Sequence, residues 1–239
     1  KKNIDFENFL KFNFEKSLKK YEMLKEKILI DHESSLNTLK TNFKENGLNK
    51  ILIIGDSVSQ DLVLALNNSE FSKSNDFRYF DYGLRELILR NKNDIKIFQS
   101  NLYNDADIII FNYNLFANNL SSRQLDERIV FTKKINDIIK QDNKKVIFAI
   151  NSPNFETSIN PVFYLIKIKK INNENIIGTE MFKLLSKKFH SYSSELINFL
   201  KKNEINYINL FDIYCNSSSE SCNYINEDLN ILFSDNVHL

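Results

Sequence analysis

An α/β domain with a mostly parallel sheet, covered by helices on both faces, is the fold class this sequence predicts. Three observations predict it. Short, wholly apolar runs recur along the chain from Lys50 onward, helix-periodic stretches alternate with them, and the apolar residues show none of the polar alternation of a sheet with one wet face. Hydrophobic residues make up 42% of the 239-residue chain, including 20 Phe and 10 Tyr, which suffices for a sizeable core and argues against global disorder.

Residues 1–48 differ from the rest and are expected to form a helical extension or linker packed on the main domain, which then occupies 49–239. Phe6, Phe9, Leu10, Phe14, Leu18, Tyr21, Leu24 and Ile28 recur at three- and four-residue steps, as on one face of a long helix. A second helix is expected over Ser35–Asn46, with Leu36, Leu39 and Phe43 on one stripe and Glu45-Asn46-Gly47 as its C-terminal stop. Strands are then expected at Ile51–Ile54, Arg78–Asp81, Ile95–Phe98, Asp107–Phe111, Val146–Ile150 and Ile205–Phe211. Helices are expected between them at Val58–Asn67, Leu84–Leu89, Ser122–Gln141 and Gly178–Lys202. In such sheets the reacting groups gather where loops leave the carboxyl ends of the strands.

Several function classes fall away on composition. The net charge is +1, from 32 basic against 31 acidic residues, and the basic clusters Lys19-Lys20 and Lys167–Lys170 have no basic domain around them. Nucleic-acid binding needs a broader electrostatic footprint. No apolar run approaches the roughly 20 residues of a membrane span. The chain begins Lys1-Lys2 without Met, so a longer natural protein is expected, with any targeting or membrane segment upstream.

Cys215 and Cys222 are the two cysteines, in the polar stretch Cys215-Asn216-Ser217-Ser218-Ser219-Glu220-Ser221-Cys222. Three arrangements compete. A metal site would need two more ligands, and no further Cys or nearby His supplies them. Two inert thiols would suit a reducing compartment. A disulfide would pin a loop otherwise short of contacts, and it is favoured because polar loops rarely house buried free cysteines. A disulfide in turn implies an oxidising compartment.

The chemistry concentrates at two places. Ile53-Ile54-Gly55-Asp56-Ser57-Val58-Ser59 takes the first strand into a helix, so Ser57 stands beside the first unsatisfied N–H groups of that helix, where the dipole favours an oxyanion. The competing reading is that Ser57 is simply the N-cap. At the far end, Ser234-Asp235-Asn236-Val237-His238-Leu239 puts a carboxylate three positions before a histidine. On a tight loop, Asp235 could accept from His238 Nδ1 and leave Nε2 to take the Ser57 proton. The other histidines are His32, in a polar break, and His190, on an expected helix surface; neither has a carboxylate at that spacing.

Gly-Asp-Ser after the first strand, with Asp-x-x-His near the C-terminal end, resembles the SGNH/GDSL hydrolase superfamily over about Lys50 to Leu239. The resemblance implies a flavodoxin-like three-layer α/β/α fold and ester chemistry, with Ser57, Asp235 and His238 as the catalytic triad. The segments Asn209–Cys215, Cys222 and Leu232–Leu239 are further similar to SGNH domains fused behind integral-membrane acyltransferase-3 domains, in which a Cys pair precedes an Asp-x-x-His-Leu stretch. Val146–Pro153 resembles their strand and Pro-containing turn. What this implies is acetylation of a cell-envelope glycan, of the lipopolysaccharide, peptidoglycan or capsule type, with acetyl groups delivered by a membrane domain of the same chain. It also implies a periplasmic or extracytoplasmic place, tethered to the inner membrane, and no metal or organic cofactor.

The pattern departs from the superfamily at the oxyanion hole, to which a Gly N–H and an Asn side chain usually contribute. Asn112-Tyr113-Asn114 stands where the Gly-x-Asn block would fall but lacks the Gly. Asn114 is the first match for the Asn donor and Asn112 the second; Gly83 is the candidate Gly donor, with an ordinary helix-start glycine as the competing reading. Three activities therefore stay open: a glycan O-acetyltransferase, a secreted carbohydrate O-acetyl esterase, and a catalytically silent glycan-binding module of the same fold.

Overall fold

The structure is a computed structural model that describes residues 37–45, 47–81, 95–112, 122–150, 152–157, 161–171, 173–185 and 187–223. The N-terminal stripe from Phe6 to Ile28 and the helix expected at Leu84–Leu89 lie outside the described residues.

Five parallel strands form the central sheet: β1 (Asn49–Gly55), β2 (Asn75–Asp81), β3 (Ile108–Asn112), β4 (Lys145–Ile150) and β5 (Tyr207–Asn209), in the order β2-β1-β3-β4-β5. The expected α/β fold is thus present, and its strand order is that of the flavodoxin-like, doubly wound sheet. Successive residues of β1 serve opposite layers. Leu52 and Ile54 join Ile109, Phe111, Val146 and Phe148 on one face, while Ile51 and Ile53 join Phe77, Tyr79 and Ile110 on the other. The central strands β1, β3 and β4 are apolar through most of their length because both their faces are covered.

Helix α1 (Ser57–Asn67) covers the second face through Val63. On the first face lie α2 (Asn101–Asp105), α3 (Ser122–Gln141) and, further along the chain, a long helix at Lys187–Lys202. They contribute Leu102 and Tyr103, then Leu125, Phe131, Ile135 and Ile139, then Leu196 and Leu200. A smaller apolar cluster gathers Phe155, α4 (Pro161–Phe163) with the π turn Tyr164–Ile168 that follows it, α5 (Glu174–Lys183) and Phe211. The chain then runs through α6 (Lys187–Lys202), β5, α7 (Phe211–Tyr214) and a hairpin of β6 (Cys215–Asn216) with β7 (Ser221–Cys222).

Four elements differ from expectation. The apolar run Ile95–Phe98 is not a strand: a 3-10 turn spans Lys96–Gln99, and its backbone groups bond locally, Phe98 N–H to Ile95 O at 3.1 Å and Ser100 N–H to Ile97 O at 3.0 Å. Both ladder edges of β1 are already taken by β2 and β3, and the three apolar residues reach the core equally well from a turn. The single helix expected over Gly178–Lys202 is two, because residues 184–185 leave the helix to bond with the Phe155 segment: Leu185 bridges Phe155, and Glu156 N–H donates to Leu184 O at 2.6 Å. The strand expected over Ile205–Phe211 is shortened to Tyr207–Asn209, and Phe211 opens α7 instead.

The helix expected over Ser35–Asn46 is helical only at 37–39 among its described residues. Its later backbone groups are drawn to β2: the Asn42 carbonyl accepts from Arg78 Nε at 3.0 Å, and the Lys44 N–H donates to Asp76 Oδ2 at 2.8 Å. Asp76 and Arg78 themselves form a buried ion pair at 2.5 Å. The segment is thereby held against β2 through the side chains of Asp76 and Arg78.

Candidate active site

The strand order reverses at β1, whose neighbours β2 and β3 lead in opposite directions across the sheet. Their carboxyl ends are level: Gly55 of β1 stands opposite both Asp81 of β2 and Asn112 of β3, and Asn112 in turn opposite Ala149 of β4. A crevice at such a switch point is where doubly wound folds bind ligands. Ser57 is two residues beyond Gly55 and is the first residue of α1.

The capping question is settled here. Asp56, not Ser57, is the N-cap: its backbone is extended and its Oδ1 accepts from the Val58 N–H at 3.2 Å. The turn is therefore held by the aspartate, and Ser57 begins the helix rather than serving its end. Gly55 is required by close approach. A Cβ at this position would overlap the Asn112 carbonyl and Ser59 Oγ, two atoms that are hydrogen-bonded to each other across the β3–α1 junction. The Gly55–Ser57 turn and the end of β3 are thus in direct backbone contact.

Asn112 is 1% exposed, and its Nδ2 lies 3.4 Å from the Val58 carbonyl, so the second-choice oxyanion asparagine faces the first turn of α1. Asp235, His238, Asn114 and Gly83 lie outside the described residues. Of these, Gly83 follows β2, and Asn114 follows β3, by two positions each in the sequence. His190 belongs to α6, and His32 is outside the described residues. Val146–Pro153, singled out by resemblance, runs along β4 and off its carboxyl end, where the Ser152 hydroxyl is buried without a hydrogen-bond partner among the described residues.

Sequence reasoning missed Tyr79 and Ser59. Tyr79 is wholly buried on β2, and its hydroxyl lies 3.2 Å from the Gly55 carbonyl and 3.3 Å from the Asp56 carbonyl while accepting from Gln60 Nε2 at 3.4 Å. Burial pushes the phenol up to about 12, and the charges of Asp81 and Asp56 push the same way, against the hydrogen bond from Gln60. It is therefore a neutral donor at ordinary pH. The signal that could have found it is a hydroxyl amid apolar neighbours in Phe77-Arg78-Tyr79-Phe80, since a buried Tyr almost always finds a partner for its O–H.

Cys215 and Cys222 are disulfide-bonded, as expected, across directly opposed positions of the β6–β7 hairpin. Both are buried in the smaller apolar cluster. Among the described residues, no group of His, Cys, Asp and Glu is arranged to hold a metal ion, and no helix is long and apolar enough to cross a membrane.

No protein-family model matches the sequence, and no curated protein matches it. Solved structures do. An acetyl xylan esterase aligns at 16% identity and TM-score 0.48, over 79% of this chain and 91% of its own. A GDSL-like lipase from Bacteroides thetaiotaomicron aligns at 13% identity and TM-score 0.44, over 89% and 87%. The periplasmic domain of a lipopolysaccharide acetyltransferase from Salmonella ser. Paratyphi A aligns over 100% of this chain and 92% of its own, with TM-score 0.59 and 19% identity. The chain accordingly has the fold of that periplasmic domain, the three-layer α/β architecture that the SGNH resemblance implies.

Proposed function

We propose that the chain is a serine-dependent O-acetyltransferase domain that places acetyl groups on hydroxyls of a bacterial cell-envelope glycan through an acetyl-enzyme. The observation that carries this reading is Ser57 opening α1 at the carboxyl end of β1, at the reversal of strand order, with Asp56 already serving as the cap. A hydroxyl at that point meets helix N–H groups that favour an oxyanion, and it follows a strand end kept clear by Gly55.

In the proposed cycle His238 Nε2 accepts the Ser57 proton while Asp235 holds the imidazole through Nδ1. Ser57 Oγ attacks the acetyl carbonyl. The tetrahedral oxyanion is met by the Ser57 N–H, with Asn114 and Gly83 or Asn112 as further donors. His238 gives the proton to the departing group, leaving acetyl on Ser57. A sugar hydroxyl then loses its proton to His238 and attacks the acetyl-serine; the Ser57–acetyl bond breaks, His238 returns the proton to Ser57 Oγ, and the sugar leaves as its acetyl ester. The glycan class follows from the SGNH–acyltransferase-3 resemblance, and the Salmonella neighbour, a lipopolysaccharide acetyltransferase domain, supports it. The same resemblance supplies the donor, acetyl handed over by an integral-membrane domain, and with the disulfide it supports a periplasmic location.

The test has two parts. Ser57→Ala should lower p-nitrophenyl acetate turnover at least about a thousandfold, and equal turnover in both proteins would favour a silent binding module. With an acetyl donor and candidate glycans, mass spectrometry should show sugar acetylation. Loss of acetyl from a pre-acetylated glycan, with no gain on the bare one, would make the domain an esterase.

A further inference from the structure

The peptide group joining Asp56 to Ser57 presents two polar atoms, the Asp56 carbonyl oxygen and the Ser57 N–H. It is planar, and no peptide in the described chain is cis, so the two point in opposite directions and fixing one aims the other. The carbonyl is fixed twice. It accepts from the Ser59 N–H at 2.9 Å and lies 3.3 Å from the Tyr79 hydroxyl, which it shares with the Gly55 carbonyl. Tyr79 reaches it from a different element, β2, and is itself immobilised by complete burial beside Ile53 and Val63.

We propose that Tyr79 is a positioning residue for acyl transfer: its hydroxyl, with the Ser59 N–H, locks the Asp56–Ser57 peptide so that the Ser57 N–H is held toward the developing oxyanion. This rests on Ser57 being the nucleophile. The phenol acts in two ways. It restricts rotation of the peptide plane, and by bonding the carbonyl it polarises the N–H of the same amide, a cooperative gain of roughly 10–30% per bond. Both effects matter most when the oxygen becomes an anion, so they belong to kcat and leave ground-state binding alone. Because Tyr79 acts through the amide, its removal costs less than the 10²–10³-fold typical of losing an oxyanion donor, about tenfold.

Tyr79→Phe keeps the buried ring and removes only the hydroxyl. Its kcat on p-nitrophenyl acetate is expected to fall about tenfold with KM within about twofold. Its affinity for an arylboronic acid, whose tetrahedral adduct on a serine imitates the oxyanion, should fall by the same factor. Phe77→Leu, in the same strand and the same apolar layer, is the stability control. At matched thermal midpoint it should keep kcat, and an equal kcat loss there would assign the effect to strand packing and overturn the proposal. Ser57-dependent turnover that Tyr79→Phe leaves unchanged overturns this proposal alone. Equal turnover by wild type and Ser57→Ala overturns it together with the nucleophile assignment.

Discussion

At the scale of single residues, the Gly55–Ser57 turn is crowded at its backbone. Gly55 has no side chain because the Asn112 carbonyl and Ser59 Oγ already occupy that space. Neither can withdraw cheaply: one is the last ladder position of β3, the other is a fully buried side chain in the first turn of α1. Gly55→Ala must therefore separate β3 from α1, and is expected to cost on the order of 1–3 kcal/mol as overpacking. The measurement is urea unfolding, and an unchanged midpoint would contradict the close approach. The loss of activity should exceed the loss of folded protein, because the displacement falls within two residues of Ser57. Gly178 makes the same argument in the smaller cluster, where a Cβ would come within 2.6 Å of the Cys222 carbonyl.

At the scale of elements, β2 holds the 42–44 segment through a buried ion pair. Asp76 and Arg78 sit on the strand, both under a tenth exposed; they pair with each other, and each also bonds the arriving 42–44 segment. Arg78 also donates through Nη1 to the Phe77 carbonyl at 2.8 Å and lies over the Phe43 ring. Replacing Asp76 by Asn leaves a buried guanidinium without its counter-charge, which typically costs about 3–5 kcal/mol. Guanidinium or urea denaturation of Asp76→Asn measures it; a loss below about 1 kcal/mol would mean that the pair is hydrated in solution. The same element carries Tyr79, so β2 links the 42–44 contact to the Gly55–Ser57 turn through alternate residues of one strand. Strand registers explain why: side chains at 76, 78 and 80 face one layer and those at 77 and 79 the other.

At the scale of the whole molecule, the sheet brings three strand ends level and the smaller cluster is stapled by a disulfide. A bridge closing so short a loop contributes about 2–3 kcal/mol by restricting the unfolded chain. Reduction should lower the thermal midpoint and loosen the cluster around Phe155, Met181 and Phe211, and intact mass should rise by two hydrogens on reduction. Free thiols in the untreated protein would contradict the bridge and remove the case for an oxidising compartment. The strands Ile51–Ile54, Asp107–Phe111 and Val146–Ile150, and the helix Ser122–Gln141, were legible in the sequence because a doubly covered strand is apolar at every position and a long amphipathic helix repeats its stripe many times. Ile95–Phe98 and the break at Leu184-Leu185 were not, since a few buried residues satisfy a turn, a strand or a helix alike, and the choice fell to distant partners such as Phe155. By itself the sequence determined the layered α/β class and the turn that carries Ser57, consequences of local pattern and spacing, and it favoured a Cys215–Cys222 bridge over free thiols. Only the tertiary structure decided that Asp56 is the cap, that β1 lies at the reversal of strand order, and that a tyrosine from β2 supports the peptide before the serine. Those depend on which strands become neighbours, and adjacency in space is not written in adjacency along the chain.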